Sequence, residues 1–273
     1  MTDPLQTKQL IELHLFQLPE TNFTVEQMQR LVISGDRPLH SSESPFSPAV
    51  LSADELKRHH RIKAPNGKKM YFLSRVFLKH ILSQRTGTRS TENLYRYLPS
   101  GKPVFIDHPD LGVNWAHSGR FFAVALVEGN SIGVDLEIEN PKRSINALAQ
   151  RFFSAQEASE MAERPKEDQR KYFYKLWTLK EAYIKEHGGS IAQHLNHLQY
   201  VQSANSLTLK MGKSRLFHSQ QPSTGLHTAV SVGLQPYALS EIQQYTYDIR
   251  THKGVLKLER SNAPFSLWTE IRG

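Results

Sequence analysis

The chain has no cysteine in its 273 residues. That excludes disulfide scaffolds, zinc ribbons, thiolate-bound clusters and cysteine nucleophiles, and leaves carboxylates, imidazoles, amines and hydroxyls to carry any chemistry. Long apolar runs are missing too: the longest is seven residues, Phe121 to Val127, against the ~18 that a membrane-spanning helix needs. Met1 to Leu10 contains two charged residues and no signal-peptide core, so the cytoplasm is the expected location and no membrane partner is expected. There is no collagen or solenoid period. A Walker A loop, G-x-G-x-x-G, H-E-x-x-H and the G-x-S-x-G elbow are also absent, which removes the commonest phosphate-loop, dinucleotide, zinc-protease and serine-hydrolase signatures.

What is present describes a folded chain. With 38% hydrophobic and 22% charged residues, 13 Phe, 10 Tyr and 3 Trp, it can build one large core or two modest ones. The net charge of +8 points to an anionic partner: nucleic acid, a phosphorylated small molecule, an acidic protein or an anionic surface. That charge is uneven. Twelve Lys/Arg and a single acid, Glu92, lie between Lys57 and Lys102 and give the segment +11; the other 227 residues, with 22 basic and 25 acidic side chains, sum to −3.

Along the chain, Leu13 to Leu18 reads as a strand and Ser41 to Pro48 as a loop. Ser52 with Glu55 forms a capping-box signal that opens a basic helix carrying Lys57, Arg58 and Arg61, with Asn66-Gly67 as its break. Met70, Leu73, Phe77, Leu78, Ile81 and Leu82 recur at helical spacing, and Gly87 closes that helix. Phe121 to Val127 and Ile132 to Ile138 flank Glu128-Gly129-Asn130-Ser131, a hairpin signal. A second capping box, Ser154 with Glu157, opens a helix that ends before Pro165, and Asp168 to His187 is the strongest helix, stopped by Gly188-Gly189. Strand-like pieces follow at Ser206 to Met211, Leu216 to His218 and His227 to Leu234; from Ser240 the chain reads as an extension of uncertain structure. This order predicts an α+β protein, two halves each with a helix on a small, mainly antiparallel sheet.

Three constellations stand out. In Gly133-Val134-Asp135-Leu136-Glu137-Ile138, strand alternation puts Asp135 and Glu137 on one face and Val134, Leu136 and Ile138 in the core. Oxygen ligands of this kind suit Mg²⁺; a solvated strand face bearing two acids is the plain alternative. On the long helix, Trp177, Glu181 and Lys185 lie four apart on one face. An exposed Glu-to-Lys pair worth ~0.3–0.5 kcal/mol is the simple account, but Trp177 draws that face inward, and a semi-buried Glu181 needs a partner. A metal shared with Asp135 and Glu137 would supply one. The third is Gly101-Lys102-Pro103 followed by Asn114-Trp115-Ala116-His117-Ser118-Gly119, a turn able to offer an imidazole and a hydroxyl to an anion. His59-His60 and His194-x-x-His197 follow no recognisable metal template and read as surface residues.

Together these motifs resemble the 4′-phosphopantetheinyl transferases of the larger, surfactin-type class. The resemblance is carried by Gly101-Lys102-Pro103, by Asn114 with His117-Ser118-Gly119, by Gly133 to Glu137, by Arg151-Phe152-Phe153-Ser154 with Glu157, and by Phe173 to Lys185. It is specific over residues 101 to 185 and looser from Ser52 to Gly233. It implies transfer of the phosphopantetheine arm of coenzyme A to a serine of an apo acyl or peptidyl carrier protein, with release of 3′,5′-ADP. It implies two similar halves about a pseudo-twofold axis, with coenzyme A between them and a monomeric chain. The expected division is 1–127 (basic, coenzyme A-binding), 128–240 (metal-binding acids) and 241–273 (an extension without assigned role).

By position, Asp135, Glu137 and Glu181 would bind Mg²⁺, and Glu181 would also serve as general base, directly or through water. Lys185 would contact the phosphates, His117 with Ser118 beside it would hold the β-phosphate, Lys102 and Pro103 would border the adenine, and Arg58 and Lys69 would fall near the 3′-phosphate. Two positions depart from the pattern: Ala116 stands where the class has a serine, and Met70 where an arginine is common. Phosphoryl-type transfer asks a protein mainly for positioning and charge stabilisation, and the nucleophile belongs to the acceptor, so no activated serine is needed here. The rivals are a metal-dependent nuclease, whose acid-x-Lys pair would lie on a strand, and a nucleic-acid-binding protein, which would leave Asp135, Glu137 and Glu181 unexplained.

Overall fold

In a computed structural model of the chain, β1 (Lys8–Gln17) splits its side chains by parity, as a strand covered on both faces must: Ile11, Leu13 and Leu15 enter one apolar cluster and Phe16 another. The structure describes residues 8–18, 32–33, 51–87, 94–189, 198, 200–203, 206–209, 214–233, 239–252, 255–261 and 268–271. The loop read at Ser41 to Pro48 lies outside them. After β2 (Val32–Ile33) comes α1 (Ala53–Arg61), opened by the expected capping box: Ser52 Oγ accepts from the Glu55 N–H at 3.3 Å and Glu55 Oε2 from the Ser52 N–H at 2.8 Å. The break after it is not at Asn66-Gly67. Helix α1 stops at Arg61, and Pro65 begins α2 (Pro65–Thr86), because proline at a first helical position gives up an N–H that would be orphaned anyway. Gly87, at φ +74°, closes α2 as its left-handed cap.

A short pair, β3 (Tyr95–Tyr97) and β4 (Pro103–Phe105), leads to β5 (Leu111–Ser118) and β6 (Phe121–Glu128). The apolar run of β6 is continuous because both its faces are covered: Phe122, Val124 and Leu126 meet α2, while Phe121, Ala123, Ala125 and Val127 face the other way. The expected hairpin between β6 and β7 (Ile132–Ile138) does not form. Strands β1 and β5 occupy both edges of β6, so the 128–131 connection crosses to a second sheet, held by Gly129 N–H on Asp110 O and by the Asn130 side chain on Gly233 O. The hairpin lies one strand earlier, where β5 turns into β6 through Gly119 at φ +53°.

Next come α3 (Ile145–Phe152), which the sequence patterns did not reveal, then α4 (Ala155–Ala162) behind its Ser154–Glu157 capping box, and α5 (Lys166–His187). Strands β8 (Tyr200–Ser203) and β9 (Ser206–Leu209) pair with each other, and β10 (Ser214–Gln221) pairs with β11 (Leu226–Gly233). The region after Ser240 is not a loose appendage. Strand β12 (Leu239–His252) runs parallel to β1 along its whole length, β13 (Val255–Ser261) joins β12, and β14 (Thr269–Ile271) joins β10.

The protein is therefore α+β, with sheets ordered β2-β13-β12-β1-β6-β5 and β14-β10-β11-β7. The two halves share a connection scheme. In each, a strand (β1 or β7) leads to a 22-residue helix (α2 or α5) and then a hairpin (β5–β6 or β10–β11), whose second strand pairs antiparallel with the first. Each helix covers the outer face of its sheet, and a third apolar cluster joins the inner faces through Leu13, Ala123 and Ala125 from one side and Val134, Val230 and Val232 from the other. Among the described residues no helix is long and apolar enough to cross a membrane.

One contact fixes the second half. A Cβ built on Gly133 of β7 would sit 2.0 Å from Ala182 O and 2.4 Å from Glu186 N of α5, so the helix backbone lies directly on the strand where only glycine fits. Gly133→Ala is expected to destabilise the protein by about 3 kcal/mol, through helix displacement rather than lost apolar area. Chemical unfolding of the variant measures this, and an unchanged midpoint would show that the spacing is not set at Gly133.

Candidate active site

The close approach at Gly133 sets α5 against β7, and the acids predicted from each motif meet there. Asp135, on β7, is 7% exposed, and its Oδ1 accepts a hydrogen bond from Lys185 Nζ on α5 at 2.7 Å. Its other oxygen, Oδ2, is buried and accepts none. Burial raises the Asp135 pKa to about 6, with the Glu137 charge adding to the rise and Lys185 opposing it. Glu181, one turn before Lys185 and 6% exposed, is pushed up to about 7 by burial first and then by the charges of Asp135 and Glu137. Glu137 is more open. It accepts from Ser118 Oγ at 2.9 Å and pairs with Arg143 at 3.3 Å.

Strand β5 supplies the opposite wall and also stitches the halves together. Asn114 Oδ1 accepts the Val134 N–H at 3.1 Å and Ser118 Oγ accepts the Ile138 N–H at 3.2 Å, so side chains replace the missing ladder between two edge strands. His117 is exposed beside them. Partial burial, then the positive charges of Lys185 and Arg75, hold its pKa below the ordinary histidine value. A neutral imidazole at neutral pH can still donate one hydrogen bond to an anion.

The remaining predicted residues lie on the N-terminal half. Lys102 donates from Nζ to the Glu186 carbonyl at 2.5 Å, so its ammonium caps the C-terminal end of α5 beside Lys185, and burial lowers its pKa. Pro103 is buried in β4, directly across from Tyr97. Arg58 is exposed on α1 and Lys69 half-buried near the start of α2; neither belongs to the acid cluster. His59 is half-buried and His60 exposed on α1, while His194 and His197 lie outside the described residues.

Sequence reasoning missed Arg75. It sits on the buried side of α2, 7% exposed, donates to Tyr95 Oη at 3.1 Å and lies 5.0 Å from the ring centroids of both Tyr71 and Trp115. The signal was a lone arginine inside the apolar run Phe72 to Leu78. Below it, Tyr95 donates to Glu55 at 2.5 Å, and Glu55 pairs with the buried Lys79 at 2.8 Å.

Among the described residues no three His, Asp or Glu side chains stand as a ready ligand set, since ammonium and guanidinium groups hold two of the acids. The donor chemistry nonetheless fits a hard divalent cation: three carboxylates, oxygen atoms only, two of them made reluctant to ionise chiefly by burial, and one buried oxygen without a donor.

Residues 131–240 match the model of the 4′-phosphopantetheinyl transferase superfamily. A Synechocystis protein provisionally named a 4′-phosphopantetheinyl transferase is 35% identical over 165 residues, 60% of this chain and 65% of that protein. The 4′-phosphopantetheinyl transferase HetI of Nostoc is 34% identical over 57% of this chain and 68% of its own length, and AcpT of Salmonella typhimurium 34% over 59% and 81%.

Because Glu181 binds its proton more tightly folded than unfolded, folded stability is greatest below the unfolded value of 4.5 and falls as pH rises toward about 7. Glu181→Gln removes that penalty. In buffer free of divalent cations the variant is expected to be more stable than the parent at pH 8, by about 3 kcal/mol, and equal to it at pH 4. Thermal unfolding at the two pH values measures this; equal stability at pH 8 would place Glu181 in a more hydrated setting.

Proposed function

Because the chain belongs to the 4′-phosphopantetheinyl transferase family, we propose that it moves the 4′-phosphopantetheine arm of coenzyme A onto a serine of an apo acyl or peptidyl carrier protein and releases 3′,5′-ADP. The observation that carries this reading is the meeting of Asp135 and Glu137 on β7 with Glu181 and Lys185 on α5. The carrier serine oxygen bonds to the phosphorus of the pantetheine phosphate, the bridging P–O bond breaks, and the electron pair leaves on 3′,5′-ADP. Glu181 suits the serine proton, taken directly or through a water, since a carboxylate that titrates near 7 is a competent base at neutral pH.

Lys185 stands where an ammonium can stabilise charge on the departing phosphate, and His117 where an imidazole N–H can hold the neighbouring one. Asp135, Glu137 and Glu181 are the residues that would hold Mg²⁺, which when bound supplies charge neutralisation on the diphosphate. Lys185 would then trade Asp135 for phosphate. The +11 segment offers charge to the 3′-phosphate through Arg58 and Lys69 and to the acidic carrier surface through the exposed Lys57, Arg61, Lys63 and Arg96. A nuclease reading is poorer: Glu181 and Lys185 are four apart on a helix, and no strand among the described residues carries the acid-x-Lys pair.

Mass spectrometry of an apo carrier incubated with the protein, coenzyme A and Mg²⁺ is expected to show the gain of one phosphopantetheine. Glu181→Gln should lower the rate about 10²- to 10⁴-fold, the range for loss of a general base, with its circular dichroism unchanged. Carriers of fatty-acid, polyketide and peptide type that all stay unmodified by the parent protein would overturn the assignment.

A further inference from the structure

The acid cluster has a second cation, which the transfer chemistry leaves unused. Lys185 stands at Asp135 and Arg143 at Glu137, two residues further along the same face of β7 and so about 7 Å away. That row has a direction. At its Gly133 end lie Glu186 and, bonded to the Glu186 carbonyl, Lys102, which with Pro103 is expected to border the adenine. Lys185 is therefore the cation nearer the nucleotide, and Arg143 lies beyond it, level with Ser118, which bonds both Glu137 and the Ile138 N–H.

The backbone that presents Arg143 is fixed. Glu139 N–H donates to Gly225 O at 2.9 Å, Tyr174 Oη accepts the Asn140 N–H at 2.9 Å, and Arg170 donates to the carbonyls of Asn140 and Pro141. The Arg143 guanidinium then rests over the buried Tyr174 ring, 5.6 Å from its centroid. Its Nη1 lies 3.3 Å from Glu137 Oε1 as a charge pair, but without hydrogen-bond alignment, so this buried nitrogen has no acceptor among the described residues. An unsatisfied donor of this kind costs free energy until a ligand supplies the acceptor. A phosphoryl group suits it, because two non-bridging oxygens match the planar fork of a guanidinium.

We propose that Arg143 is a further catalytic residue, donating to the non-bridging oxygens of the phosphorus that is transferred while Lys185 serves the departing 3′,5′-ADP. The inference deepens the transferase reading and rests on it. As the carrier serine oxygen bonds to phosphorus and its proton passes to Glu181, the bridging P–O bond breaks and the electron pair leaves on 3′,5′-ADP; Arg143 neither gains nor loses a proton. Its donors are in place before the reaction, and positioned charge of that kind is what phosphoryl transfer asks of a protein.

The test compares the parent protein with Arg143→Gln, Arg143→Lys and, as a control for charge lost one residue away, Lys142→Gln at an exposed side chain. Arg143 is 32% exposed, so these substitutions leave the core intact, which circular dichroism checks. In Arg143→Gln, kcat is expected to fall about 10²-fold, within the range for loss of one transition-state donor. Arg143→Lys, which keeps the charge and gives up the fork, should fall between it and the parent, and Lys142→Gln should match the parent. Calorimetric titration locates the contact: coenzyme A, which carries the transferred phosphorus, should bind Arg143→Gln about tenfold more weakly, whereas 3′,5′-ADP, which lacks it, should bind parent and variant alike. An unchanged kcat in Arg143→Gln, an equal loss of affinity for both ligands, or a matching fall in Lys142→Gln would each overturn the proposal and leave the transferase reading intact. A parent protein that binds no coenzyme A and modifies no carrier would instead remove the reading on which it rests.

Discussion

Strand β7 and helix α5 touch backbone to backbone at Gly133, and the half of the molecule that holds the acid cluster is organised by that contact. The site needs acids from two elements of different geometry to share a space only a few ångströms wide. A strand places Asp135 and Glu137 on one face by alternation, and a helix places Glu181 and Lys185 on one face by a four-residue step. Neither motif alone is more than a charged surface. With no side chain between the elements, Lys185 reaches Asp135 at 2.7 Å and Glu181 enters the field of both strand acids. Anchors at the C-terminal end of the helix hold the packing in register: Glu186 accepts from Ser131 and Ser231, and Lys102 caps its carbonyl from the other half.

The second requirement is that two halves with the same connection scheme act as one body. Their inner faces share an apolar cluster, and the two edge strands that meet, β5 and β7, are joined by Asn114 and Ser118 in place of backbone pairing. His117 stands on that seam within the electrostatic reach of Lys185 and Glu137. The tail strengthens the same union: β12 lies on the first sheet, β14 on the second, and Trp268 donates to Gln244 at 3.0 Å between them. Sequence beyond the motifs thus supports the seam where the motifs work.

Local signals in the sequence identified what local physics decides. Both capping boxes, the Gly87 stop, the alternation of Gly133 to Ile138 and the face shared by Trp177, Glu181 and Lys185 follow from one or two turns of chain, and all are present. Pairing was less legible. The apolar runs at 121–127 and 132–138 look like hairpin partners, but a strand has two edges, and those of β6 are taken by β1, more than a hundred residues earlier, and by β5. Nor could the parallel course of β12 on β1 be read, since its register is set by distant residues. Arg75 escaped for a related reason: its aromatic neighbours come from α2, β3 and β5, and only folding assembles them.

Charge around the acid cluster is opposite in sign to that of the +11 segment. With Asp135, Glu137 and Glu181 all ionised, three negative charges face Lys185 and Arg143, so the cluster is net negative and repels a diphosphate. Burial moderates this by raising the proton affinity of Asp135 and Glu181 toward neutral pH. It does not reverse the sign. Affinity for a nucleotide must come from elsewhere: from the +11 segment, from neutral donors such as His117, and from a cation that the oxygen-only donor set can accept. The cluster itself keeps its proton affinity near neutral pH because burial, opposed only in part by Lys185, acts on Asp135 and Glu181; a uniformly basic surround would hold both carboxylates ionised and paired.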